Sequence, residues 1–199
     1  MRKVISLLLT TAFISLLPCQ ATSKLDPDTE GFFTALGERI NKRLELDNMK
    51  PADAGKVRII FDRSTGLVLK IDQLNSGTNP QAQANIIDAA ITETPLNTNF
   101  PGRGYLEGGM LFGDFNKPDG KIKSFSGVVK LHRIPLAVLD RYPNLFTSSE
   151  LLADKNTFCL KLHGHMAKQL LVARAPWIAF FRSNSSATRE QIILLANKN

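Results

Sequence analysis

Gly55-Lys-Val-Arg-Ile-Ile-Phe61, Asp62-Arg-Ser-Thr-Gly66 and Leu67-Val-Leu-Lys-Ile-Asp72 run consecutively and decide the fold class of this chain. Val57, Ile59 and Phe61 fall on one face of an extended segment and Arg58, Ile60 and Asp62 on the other, because side chains alternate along a strand. Leu67, Leu69 and Ile71 repeat the alternation after a five-residue connection containing Gly66. That is the pattern of an antiparallel hairpin with a bulged or longer loop. Asn75-Ser-Gly77 and Asn79-Pro80 come next, and from Gln81 to Thr92 the period changes: Ala84, Ile87 and Ile91 recur at helical spacing. Asn79 is the expected N-cap and Pro80 the first helical residue, where a missing N–H breaks no bond. A hairpin feeding a helix predicts an α+β fold, with a small antiparallel sheet packed on helices.

Working outward, Phe33, Leu36, Ile40 and Leu44 form an apolar stripe that predicts a helix over Thr29 to Leu46. Glu38, Arg39, Lys42 and Arg43 fall largely outside it, and Asp26 and Asp28 suit its N-terminus. Tyr105 to Phe115 is a third strand, weakened by Gly108, Gly109 and Gly113. Asn116-Lys-Pro-Asp-Gly120 is a turn and the best boundary, separating an α+β domain over residues 22–118 from a second α+β region over 119–199. In that region Lys121 to Leu131 reads as strand, and Pro135 to Tyr142 and Ser148 to Asp154 as short helices. Phe158, Leu160 and Leu162 alternate with Cys159, Lys161 and His163 in a strand ending at Gly164. Leu170 to Arg174 and Trp177 to Arg182 are two apolar runs split by Pro176, the second read as strand packing. A last element from Ala187 to about Leu195 has Ser185 and Ser186 as caps. The second region could stand alone or extend the first sheet.

Gly55, Val57, Ile59, Phe61, Gly66, Val68, Ser76, Gly77, Pro80, Asp88, Ala89, Ala90 and Pro95 carry a resemblance over about residues 29 to 115, less than half the chain. The order of features resembles the C-terminal domain family of the periplasmic energy transducers TonB and TolA. Members show an opening helix, a strand, a short turn with Gly, a second strand, Ser-Gly with Pro nearby, a helix and a Pro-containing exit. The resemblance implies a non-enzymatic module that engages other envelope proteins, accessory to envelope transport, by adding a strand to an open sheet edge. Because such an interface is mostly backbone, no individual binding residue carries over. TonB and TolA retain a membrane anchor and a long span across the periplasm. Here the expectation is a leader followed within a few residues by the folded domain.

That leader is Met1-Arg2-Lys3 and an uncharged, largely apolar run from Val4 to Leu17, too short to span a bilayer comfortably. Cleavage after Ala21, with Cys19 and Ala21 at the recognition positions, makes residues 1–21 a signal peptide and the mature protein periplasmic. The alternative is a lipoprotein acylated at Cys19, although Pro18 departs from the small residue usual before that cysteine. Cleavage leaves Cys159 as the mature chain's one cysteine, which excludes an internal disulfide.

Residues 22–120 hold 11 Lys/Arg and 14 Asp/Glu, a net of −3, whereas residues 121–199 hold 12 and 4, a net of +8. With Arg2 and Lys3 the formal charge is +7. The asymmetry suggests different partners for the two halves, the basic half suiting weak contact with anionic lipid or simply conferring solubility. The basic residues are scattered and match no nucleic-acid module, so no nucleic-acid partner is expected.

His132, Cys159, His163 and His165 all lie in the basic half. Cys159, His163 and His165 could supply three of four ligands to zinc or copper, or serve a thiol or metal enzyme, the alternative to a binding module. Lys161 stands between Cys159 and His163 and His165 lies past Gly164, which argues against a tidy site. Gly102 to Gly113 lacks the Lys-Ser/Thr ending of a phosphate-binding loop, and neither a Gly-x-Ser-x-Gly elbow nor His-Glu-x-x-His is present. No catalytic residue and no cofactor is assigned. Trp177, Phe180 and Phe181 beside Arg182 could anchor a partner, or pack in the core.

Overall fold

Leu36, Ile40 and Leu44 line one side of the first helix, α1 (Pro27–Leu46), and are buried, as their spacing predicts. A 3-10 turn at Pro51–Ala54 leads into β1 (Lys56–Phe61) and β2 (Val68–Gln73). The computed structural model describes residues 27–62, 66–75, 78–94, 109–113, 120 and 124–198. Val57, Ile59 and Phe61 point inward at 0% exposure, and the hairpin is antiparallel, Ile59 opposite Ile71, with a register shift at Ile60/Phe61. Gly66 ends the turn at φ 64°, a left-handed conformation in which a Cβ is strained. The helix α2 (Pro80–Glu93) then begins as read: the Asn79 side chain accepts the N–H groups of Gln81 at 2.9 Å and Ala82 at 3.3 Å, with Pro80 in the first turn. β3 (Gly109–Gly113) returns antiparallel to β1, completing a three-stranded sheet of order β2-β1-β3.

The second region contributes β4 (Phe125–His132), α3 (Val138–Arg141), α4 (Ser148–Leu152), β5 (Thr157–Gly164), α5 (Met166–Ser183) and α6 (Arg189–Lys198). Thr147 and Glu150 start α4 with a reciprocal capping box. β4 and β5 pair antiparallel as a separate two-stranded sheet, so among the described residues the second region does not extend the first one. The protein is an α+β fold with two small antiparallel sheets packed on helices.

Two expectations are corrected here. Trp177 to Arg182 is not a strand: α5 runs unbroken through Pro176. Its buried residues Met166, Leu170, Arg174, Trp177 and Phe181 recur every three or four positions, a helical stripe that outweighs the bond lost at the proline. Val172, whose carbonyl that missing N–H would have met, is 69% exposed, so water reaches the turn. Ser185 and Ser186 do not cap α6 either. Thr188 does: its hydroxyl accepts from the Gln191 N–H at 3.3 Å while the Gln191 side chain accepts from the Thr188 N–H at 2.9 Å.

Ten of the fourteen residues of α2 are buried, from Ala82 to Glu93, although the sequence shows only a one-sided stripe. It packs against α1 and β2 of the first region and against β4 and α5 of the second. Leu36, Val57 and Ile86 accordingly share one apolar cluster with Val129, Leu131, Leu162 and Leu170. A second cluster, built by Leu136, Val138, Tyr142, Trp177, Phe181 and Ile192, closes the other end of α5. Trp177 and Phe181 sit there with ring centroids 5.6 Å apart, so they are core residues rather than an exposed anchor. The leader at 1–21, Ser76 and Gly77, the loop from Pro95 to Gly104 and the turn at Asn116 to Asp119 lie outside the described residues.

Candidate functional site

The Leu74 N–H donates to the Lys56 carbonyl at 2.8 Å, which sets the phase of the β1–β2 ladder. Antiparallel pairing alternates residues that face the partner strand with residues that face away. Asp72 and Lys70 therefore turn their amides to Arg58 and Ile60, and Gln73 and Ile71 turn theirs to the outer edge. Among the described residues no backbone or side-chain group bonds to that outer edge between Val68 and Gln73. Leu69, the extra residue at the register shift, is 48% exposed there, and Lys70 pairs with Asp72 at 2.8 Å on the surface. The end of the strand is anchored. Asn75 Oδ1 accepts from Lys56 N–H at 2.8 Å, and Gly120 N–H donates to the Leu74 carbonyl at 2.9 Å. α5 reaches β2 on its way past α2 without bonding to that edge.

The second sheet treats its edges differently. Gln81, projecting from α2, donates to the Lys130 carbonyl at 2.7 Å and accepts from its N–H at 2.7 Å, as a neighbouring strand would. Arg174 donates to the next outward carbonyl, that of His132, at 2.9 Å. On the far side Gln169, from α5, does for His163 of β5 what Gln81 does for Lys130. Side-chain amides that imitate a strand blunt a sheet edge against pairing. On β5 the Thr157 N–H is turned to Asp154, leaving Cys159 and Lys161 as its short open stretch.

The candidate metal residues occupy that sheet and its exit. Cys159, Lys161 and His163 alternate on its exposed face, as the sequence pattern requires, and Lys130 stands opposite Cys159. His163 Nδ1 lies 3.0 Å from the Ser126 hydroxyl, and His165 is the residue before α5. Among the described residues no group of three His, Cys, Asp or Glu side chains stands close enough to hold a metal ion. Two lysines on the same face also oppose a bound cation.

What the sequence did not reveal is a polar seam between the two regions. Arg43, 3% exposed, donates to Glu93 Oε1 at 2.6 Å and to Asp140 Oδ2 at 2.6 Å. Arg39 adds a longer contact to Glu93 at 3.6 Å. Arg174, 2% exposed, grips both oxygens of Asp88, one at 3.0 Å, and His132 Nε2 lies 2.9 Å from Asp47 Oδ1. Arg43 therefore does not lie on a solvated face of α1; Asp140 of the second region covers it. A cavity of about 20 Å³ is lined by Arg43, Asp88 and His132, and the buried Arg43 Nη1 and His132 Nδ1 have no hydrogen-bond partner among the described residues. The seam joins Asp88 of α2 and Asp47, just past the end of α1, to Arg174 and His132, so part of the charge contrast between the halves is met internally. Helical spacing on α1 was the only hint of Arg43; its partner lies 97 residues away.

The chain matches no protein-family model, no curated protein and no solved structure.

Proposed function

We propose that this chain is an exported envelope protein that works without chemistry of its own, capturing an extended segment of a protein partner along the outer edge of β2. The resemblance of residues 29–115 to the TonB and TolA C-terminal domains is what directs attention to this sheet. The observation that supports the reading is the outer edge of Val68 to Gln73, unbonded among the described residues, with Ile71 and Gln73 amides turned outward, beside a second sheet whose edges are partly capped by Gln81 and Gln169. Each added backbone bond contributes only about 0.5–1.5 kcal/mol net. Capture therefore needs several of them together with an apolar side chain packing beside the exposed Leu69. Export rests on the leader pattern of residues 1–21.

The test takes the mature protein as bait in a bacterial envelope extract, followed by hydrogen exchange on the captured complex. The Ile71 and Gln73 amides should become protected and the Lys130 and His163 amides remain unchanged. Protection confined to the β4–β5 sheet would transfer the activity there and sink the reading. Mass analysis of the exported chain should place its N-terminus at Thr22; a lipid mass on Cys19 would replace the soluble periplasmic form with an anchored one.

A further inference from the structure

The second apolar cluster opens to the surface where α6, α4 and the residues following β4 meet. A cavity of about 210 Å³ lies there, floored by Ile134, Phe146, Leu151, Ile193 and Ala196. Ile193 leaves 38% of its surface exposed at this point, although α6 is otherwise seated through Ile192 and Ala196.

Apart from the exposed Asn197, the polar groups around the cavity sort into two kinds. Asn156 is fully engaged: its Oδ1 accepts from Ile134 N–H at 2.9 Å, and its Nδ2 donates to the Leu151 and Ile134 carbonyls at 2.7 and 3.2 Å. Arg189 is engaged as well, bonded to Glu150 and to the Leu145 carbonyl at 2.6 Å each and lying 4.4 Å over the Phe146 ring. Arg133 and Lys155 are different. Both are exposed, both line the cavity, and neither has a carboxylate partner among the described residues. Among the described residues the Arg133 guanidinium is steadied only by the Phe158 ring at 5.8 Å.

An apolar floor with two uncompensated cations at its rim selects a ligand with an apolar body and one negative end. The volume is below the roughly 300–1,000 Å³ of pockets that hold drug-sized molecules, so the ligand is small. We propose that this cavity binds a small amphipathic carboxylate, a short aliphatic or monocyclic acid, with its body on Ile193 and Phe146 and its carboxylate between Arg133 and Lys155.

Octanoate and benzoate, titrated into the intact protein and followed by calorimetry and by methyl NMR of Ile193, test it. One saturable site should appear for at least one of the acids, with the Ile193 methyls shifting, and affinity should fall at least tenfold in the Arg133→Gln, Lys155→Gln double variant. Both side chains are exposed, so that variant should melt with the wild type, and Ile193→Lys supplies a second route to the same loss. Absence of saturable binding by either acid would overturn the proposal. Octan-1-ol binding as tightly as octanoate, or an equal loss in the Lys161→Gln control on β5, would do so as well.

Discussion

Glu150 accepts from Arg189 and from both the N–H and the hydroxyl of Thr147, and these donors hold its carboxyl down at about 2. In the unfolded chain the group titrates near 4.5. Because the folded value is the lower one, its contribution to stability is fully present above pH 4.5 and is lost as the pH falls through about 2. In a carboxyl-detected NMR titration the Glu150 signal should move near pH 2, and in Arg189→Gln its midpoint should rise towards 4.5. A midpoint unchanged by that substitution would leave the Arg189 bond without a role. The Arg43–Glu93 pair is the opposite case, since neither partner meets solvent. Glu93→Ala leaves the Arg43 guanidinium buried beside Asp140 alone, and urea unfolding should show a loss of about 3–5 kcal/mol. Lys42→Ala, which removes an exposed contact to the same Asp140, should cost under about 1 kcal/mol.

At the scale of the element, the two sheets differ in what stands at their edges. Gln81 and Gln169 act on β4 and β5 because the helices beside these strands place an amide level with an outward peptide group. β2 has no such neighbour along its outer edge among the described residues. Gln73→Pro removes one outward N–H without touching a ladder bond, a substitution that edge strands tolerate. The variant should keep the wild-type circular dichroism and melting temperature to within a few degrees while partner capture falls at least tenfold. Parallel loss of fold and capture would mean that β2 is needed as structure only. The elements themselves were legible to different degrees. The β1–β2 hairpin and the Asn79 cap depend on neighbours in sequence, and they stand where alternation and Asn-Pro placed them. α5 departs from the expected pair of runs because Pro176, a usual breaker, lies inside the helix. Its spacing from Met166 to Phe181 carried the correct signal throughout.

At the scale of the whole molecule, α2 is the part that each region needs from the other. The expected boundary near residue 118 separates two stretches of chain that share one apolar cluster. A fragment of residues 22–120 would expose the side of α2 that meets β4 and α5, and would strand Asp88 without Arg174 and Arg43 without Asp140. It should be largely unfolded or aggregated by circular dichroism and light scattering, whereas the full mature chain should melt in a single transition. A fragment that melts cooperatively as a monomer would restore the first region as an independent domain.

The β1–β2 hairpin, the Asn79 cap and the α+β class could all be read from the sequence as a string, because each rests on interactions within a few positions of chain. Tertiary structure alone decided that α2 is buried on nearly every side, that Arg43 and Arg174 are internal, and which strand edges are capped. Apart from the Gln169 cap on His163, which is local at 6 residues, those outcomes join groups 42 to 97 residues apart. Burial and charge pairing over such separations follow from which faces meet, and no local period records that.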